Sequence, residues 1–236
     1  MKIRLFPVGV FFVLITVCLT ACVGGGQVPS SSELHHTSAQ NESQAPSSSR
    51  DTTAELANGV CIAEVFSYVG PYVEDGSNEP CEGICAVRLY NPTSVHYQYL
   101  RFSLETGGGT ATFTATTLFS GAEMIVLSEE RLPFSGPAAG GAVILEEIPF
   151  ETPPSVHLDE LSITYGDGYI NVGNLTGGAI SDVYVYYKQI KDGCYLGGIT
   201  YRTRFASIAA GETAQTGAQN VRKDGSIVVF STYTSG

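Results

Sequence analysis

The residue types that do covalent chemistry are present in this chain, but their spacing does not gather them. Adjacent carboxylates occur at Glu129-Glu130, Glu146-Glu147 and Asp159-Glu160. Neighbours on an extended strand point to opposite faces, so no such pair makes a general acid/base dyad by itself. His96 and His157 stand alone, and His35-His36 lies in a polar tract with no further metal ligand close in sequence. No nucleophile elbow, phosphate loop, HExxH helix or dinucleotide fingerprint occurs. The expectation is therefore a non-enzyme with no catalytic residue, no metal and no cofactor. Recognition chemistry is better represented. Tyr184 and Tyr186 alternate with valines, and Arg202 and Arg204 alternate with Tyr201, Thr203 and Phe205. If the valines face a core, these tyrosines and arginines form an outer face suited to a glycan, peptide or protein partner through stacking and cation–π contacts. The same side chains could instead serve as cross-strand pairs that stabilise a sheet by roughly 0.2–1 kcal/mol each. On this pattern Lys188 also points outward.

Cys61, Cys81, Cys85 and Cys194 are the candidate disulfide cysteines, and four cysteines allow three connectivities. Cys81-Glu-Gly-Ile-Cys85 has the wrong spacing for paired zinc ligands, and an extended i to i+4 span exceeds the reach of a disulfide. Cys85 shares a face with Val87 and Leu89 and could meet Cys61 in a core, while Cys194, beside Asp192-Gly193, could stay reduced. Between Tyr68 and Ile84 lies a segment carrying Glu74, Asp75, Asn78 and Glu79. It lacks the spacing of a calcium loop and reads as an acidic, solvated loop of the kind on which recognition is added to a scaffold.

The elements that would position these residues are strands. The chain has 236 residues, of which 43% are hydrophobic and only 15% charged, with 13 Tyr, 27 Gly and no Trp, a profile that disfavours a charged helical bundle. A net charge of −11 argues against nucleic acid as a partner. From Val60 onward the period is two, with Gly, Asp and Asn turns between segments. Strands are expected over Val60–Tyr68, Ile84–Tyr90, Tyr97–Leu104, Thr110–Leu118, Glu123–Ser128 and Val143–Ile148. After Pro153-Pro154 they are expected over Leu161–Tyr165, Tyr169–Val172, Ile180–Tyr187, Tyr195–Phe205, Thr213–Thr216 and Ile227–Tyr233.

The two halves align at an offset of 83. Val87 falls on Ile170, Asn91 on Asn174, Thr93 on Thr176, Leu100 on Val183 and Leu104 on Tyr187; after a further shift of seven, Leu118 falls on Ile208 and Gly121 on Gly211. Alternation alone would not place Asn-x-Thr and Gly in step, so an internal duplication is expected. Asn174-Leu-Thr176 also matches a glycosylation sequon, but its asparagine is expected to satisfy turn backbone groups. The run from Asn91-Pro-Thr93 through Phe102-Ser-Leu104-Glu105 to Leu118-Phe-Ser-Gly121 resembles the FxLYD-type bacterial immunoglobulin-like modules, and Asn174-Leu-Thr176, Val185-Tyr-Tyr187-Lys188 and Ile208-Ala-Ala-Gly211 are similar. Glu105 and Lys188 depart from the Tyr-Asp pair of that pattern. The resemblance implies an all-β chain of two tandem immunoglobulin-like β-sandwiches, over 58–150 and 155–236, acting outside the cytoplasm in binding or spacing.

The N-terminus reads as an address. Lys2 and Arg4 precede an uncharged apolar run from Leu5 to Leu19, and Leu19-Thr20-Ala21-Cys22 resembles the lipobox of bacterial lipoproteins. The expected signal peptide is 1–21, and Cys22 is the expected lipidation site. Two or more acyl chains give stable attachment, since each buried CH₂ contributes about 0.8 kcal/mol. Residues 22–57 read as the lipidated cysteine followed by a Ser/Gly-rich flexible linker, with an r.m.s. reach of roughly 30 Å. The functional expectation is an interaction or structural module of the bacterial cell envelope, lipid-anchored at the cell membrane, facing outside the cytoplasm and binding a protein, peptide or glycan partner. The alternative is an accessory subunit of a surface complex, catalytic or not, with a site assembled from distant strands.

Overall fold

A computed structural model describes residues 53–235, which lie within one compact unit. The expected signal peptide, Cys22 and most of the expected linker lie outside the described residues. Thirteen strands are described, and no helix. Those of the first half are β1 (Ala54–Glu55), β2 (Cys61–Tyr72), β3 (Glu79–Tyr90), β4 (Tyr97–Thr106), β5 (Gly109–Leu118), β6 (Glu123–Leu127) and β7 (Ala138–Pro149). Those of the second half are β8 (Leu161–Gly166), β9 (Tyr169–Asn174), β10 (Ile180–Lys191), β11 (Cys194–Ile208), β12 (Thr213–Gly217) and β13 (Ser226–Ser235). Every strand expected from alternation is present. The addition is β1, which pairs Ala54 with Ile62 and Glu55 with Cys61, so the end of the expected linker belongs to the fold.

Three sheets result, with orders β1-β2-β3-β6-β11-β10-β13, β12-β9-β8 and β5-β4-β7. The order β2-β3-β6 recurs in the second half as β8-β9-β12, and β5-β4-β7 recurs as β11-β10-β13. Alternation explains the layers. On β4, Leu100, Phe102 and Leu104 are buried and meet Ala115, Phe113 and Ala111 of β5. They face Val65, Val87, Leu89 and Val126 from the opposing strands to form one core. A second core joins Leu161, Ile170 and Val172 to Val183, Val185 and Phe205.

The correspondence reaches single atoms. Asn91 is fully buried, its Nδ2 donating to the carbonyls of Val95 (2.8 Å) and Phe119 (3.1 Å) while its Oδ1 accepts from Thr93 N (3.1 Å) and Oγ1 (2.7 Å). Asn174 repeats this, donating to Gly178 O (2.8 Å) and Ile208 O (3.0 Å) and accepting from Thr176 N (2.9 Å) and Oγ1 (2.7 Å). Gly121 and Gly211, with φ of 74° and 73°, return N–H bonds to the carbonyls of these two asparagines. Only glycine adopts that backbone without strain.

The halves differ where they meet. The second half lengthens its β10–β11 hairpin, which closes over Asp192-Gly193, both at positive φ as a two-residue hairpin turn requires. This extension lays β11 parallel to β6, Tyr195 opposite Met124 and Leu196 opposite Ile125, and so makes the seven-stranded sheet continuous. The first half lengthens its β2–β3 hairpin, and that insertion packs against the same place. Tyr68, Tyr72, Val73, Ile84, Ile125, Leu127, Cys194 and Leu196 form a third core at the junction.

Candidate binding groove

The acidic insertion is solvated at Asp75 and Glu79, which are exposed, but Glu74 turns inward. Glu74 reaches the junction and accepts hydrogen bonds from Leu127 N at Oε1 (2.9 Å) and Gly198 N at Oε2 (2.7 Å). Gly197 and Gly198 permit the approach: a Cβ on Gly197 would run into Val73, and one on Gly198 into the Thr114 carbonyl. Asn78 Oδ1 accepts from Gln189 Nε2 (3.1 Å), and Lys191 Nζ donates to Val69 O (2.6 Å) over the Tyr68 ring. Asp75 and Glu79 pair with Arg131 at 2.6 and 3.7 Å. The acidic composition signalled solvent, whereas the carboxylate is satisfied by backbone N–H groups of the partner strands.

Lys188 is also a correction. The register of β10 against β11 shifts between Tyr187 and Gln189, so Tyr187 and Lys188 are both buried and the outward alternation ends. The ammonium is fully buried and donates to the carbonyls of Ile199 (2.8 Å) and Gly197 (3.1 Å). It also reaches Gly198 O at 3.4 Å, so Glu74 and Lys188 grip opposite ends of the same glycine. Burial pushes the Lys188 ammonium down to about 7, opposed by Glu74. Burial likewise pushes the Glu74 carboxyl up to about 7, opposed by its two N–H bonds and by Lys188.

The lock holds the outer faces of β5-β4-β7 and β11-β10-β13 apart as a groove. Its first section, about 560 Å³, has Tyr99, Thr116, Ile148 and Phe150 on one side and Tyr186, Ile199, Thr200 and Phe230 on the other. Its second section, about 410 Å³, shares Tyr99, Thr116 and Ile199 and ends at Tyr72, Glu74, Asp75 and Glu129. Tyr186 and Phe230 stack with centroids 4.0 Å apart, Phe150 meets Phe230 edge-on at 5.7 Å, and Phe119 continues the run at 6.3 Å. Glu129 bonds Arg101 at 2.8 Å and Thr114 Oγ1 at 2.5 Å, and the Arg101 bond is foremost in holding its carboxyl below the usual range.

The four residues singled out from sequence divide. Val183, Val185 and Tyr187 are buried, and Tyr184 and Tyr186 lie on the other face. Tyr184 sits between Arg202 (5.4 Å) and Arg204 (6.0 Å), and Arg204 pairs with Asp182 at 2.5 Å. These are contacts between neighbouring strands, and the three side chains lie outside the groove. Only Tyr186 enters the groove. Tyr99, Phe150, Phe230 and Glu146 were missed, although Tyr99 alternates with Leu100 and Phe102 and its outward placement was legible.

In the structure no disulfide links Cys61, Cys81, Cys85 and Cys194 to one another. Cys85 lies in the first core, as its face-mates implied, but Cys61 sits opposite Tyr90, five residues along β3, which is roughly 16 Å from Cys85. Strands β3 and β6 separate Cys61 from Cys194, whose Sγ lies 2.7 Å from Arg88 Nη1. Cys81 packs at the junction core. His96 accepts from Ser120 N (3.3 Å) and meets Phe119 edge-on, while His157 contacts Glu160 (3.2 Å). Among the described residues, no three His, Cys, Asp or Glu side chains gather closely enough to hold a metal ion. No protein-family model matches the chain, and no curated protein shows significant similarity to it.

Proposed function

We propose that this protein is a lipid-anchored interaction module of the bacterial cell envelope, tethered through Cys22 outside the cytoplasm, with two immunoglobulin-like sandwiches whose partner seats in the groove between them. The duplicated strand order and the matched Asn91 and Asn174 turns support the tandem reading. The observation that carries the functional reading is the groove itself: half-exposed aromatic side chains from both halves line one concave surface held open by buried polar bonds. A signal peptide ending at Ala21 and the linker after Cys22 place this surface clear of the membrane. Two measurements test the reading. Mass spectrometry of the mature chain should find an acylated Cys22 at its N-terminus. Crosslinking in intact envelopes should capture a partner with the parent chain and with Tyr184→Ala, but not with Tyr186→Ala; equal capture by all three refutes the groove.

One observation favours a second reading, a catalytic accessory subunit. Glu74, raised, and Glu129, lowered, line the same section of the groove, the divergence that acid/base pairs use. Both oxygens of Glu74 are engaged by backbone N–H groups, which favours the structural role. Turnover of an envelope glycan or peptide that is lost in both Glu74→Gln and Glu129→Gln, with melting temperature kept, would reverse that preference.

A further inference from the structure

The first section of the groove combines an aromatic corner with an uncompensated negative charge. The Tyr186 and Phe230 rings are parallel within 9°, and Phe150 stands at 79° to Phe230, so two ring orientations meet nearly at a right angle. Tyr99 adds a fourth aromatic side chain and Glu146 a carboxylate, and no Lys, Arg or His lines the cavity. Arg101 lies opposite Glu146 across β4 and β7, but its guanidinium is given to Glu129 at 2.8 Å. No ion pair of Glu146 exists among the described residues. The threonine hydroxyls are already spent: Thr116 Oγ1 bonds the Gly198 carbonyl and lies 2.8 Å from Thr200 Oγ1, which donates to Thr117 Oγ1 at 3.0 Å. Gln98 and the tyrosine hydroxyls could serve a neutral sugar, whereas only a cation answers the Glu146 carboxylate with an opposite charge while covering the ring faces.

We infer that this section is a pocket for an organic cation, an alkylammonium head of the kind carried by choline or by a lysine side chain. The inference rests on the groove being the binding surface and adds the chemistry of what it takes. Ring quadrupoles attract the cation, the methyl or methylene groups cover Ile148 and Ile199, and Glu146 supplies the counter-charge. The strongly acidic chain concentrates cations at its surface before they reach the pocket.

The test is calorimetric titration of the whole chain in a choline-free detergent, with four probes. These are choline, N-acetyl-lysine methylamide, 3,3-dimethylbutan-1-ol as the uncharged isostere of choline, and cellobiose. Saturable binding of at least one cation is expected, with the tighter of the two identifying the source. The isostere should bind about tenfold more weakly than choline, and Glu146→Gln and Tyr186→Leu should each weaken the cation by about tenfold, Glu146→Gln without a change in melting temperature and Tyr186→Leu with a fall of a few degrees from the lost stack on Phe230. Glu147→Gln, whose carboxylate instead accepts from Asn58 (2.7 Å), should bind as the parent does. Isostere and choline binding equally, cellobiose binding alone, Glu146→Gln without effect, or neither cation binding would each overturn the inference. If neither cation binds while partner capture still depends on Tyr186, the ligand chemistry fails and the groove survives; if capture ignores Tyr186, the groove fails as well.

Discussion

Replacing Glu74 by Gln should remove a distinctive pH dependence of stability. Unfolded, the carboxyl titrates near 4.5, and folded, burial pushes it up to about 7. The folded state therefore binds the proton more tightly, and this contribution to stability is full below pH 4.5 and lost as pH rises through about 7. With each unit corresponding to 1.36 kcal/mol, that shift amounts to about 3 kcal/mol across the window. Lys188 acts with the opposite sign. Its proton is released more readily in the folded state, so its contribution is full above the unfolded value of 10.5 and lost as pH falls toward about 7. The pair thus gives the parent a stability minimum near neutrality. Urea unfolding of the whole chain at half-unit intervals from pH 5 to 9 measures it. Glu74→Gln is less stable throughout, because an amide can satisfy only one of the two N–H donors of Leu127 and Gly198. Its curve should nevertheless lack the fall between pH 5 and 7. Parallel curves for parent and variant would refute a desolvated carboxyl at this position.

Gly198→Ala should destabilise by about 2–4 kcal/mol, since the added Cβ collides with the Thr114 carbonyl and displaces the N–H held by Glu74; a melting temperature within a degree of the parent would contradict the close approach. Asn91→Ala and Asn174→Ala should each cost about 2 kcal/mol by leaving buried carbonyls without donors, and unequal effects in denaturant titrations would weaken the equivalence of the two turns. Adding a reductant should leave the thermal unfolding curve unmoved, because no disulfide joins the four cysteines; a drop of several degrees would show a bridge.

Alternation was enough to find strands such as β4, which is buried on one face only, with Leu100, Phe102 and Leu104 inward and Tyr99, Arg101 and Ser103 outward; β6 is buried on both faces, Met124 and Val126 in the first core and Ile125 and Leu127 in the third, and was found as a short apolar run. The likeness of the two halves was legible through Asn91 and Asn174, whose short amides both donate to and accept from the turn backbone. The joining of β6 to β11 was not legible. It depends on which sheet edges meet, and the period of a strand carries no information about its neighbour. Lys188 was misplaced because a bulge breaks the period, and chemistry gives no warning of a bulge. Within the insertion Glu74 was misread, because acidic composition counts charges but not the backbone N–H groups that await them. The groove followed from both errors: Tyr99, Phe150, Tyr186 and Phe230 are ordinary surface positions until the junction brings their strands together.

Residue-resolved amide hydrogen exchange on the whole chain tests the junction most directly. If the halves are locked edge to edge, the amides of Leu127 and Gly198, both bound to Glu74, are expected to exchange slowly and together with the core amides of β4 and β10. Exchange of those two within seconds, while the cores stay protected, would mean that the halves move independently and that no fixed groove lies between them.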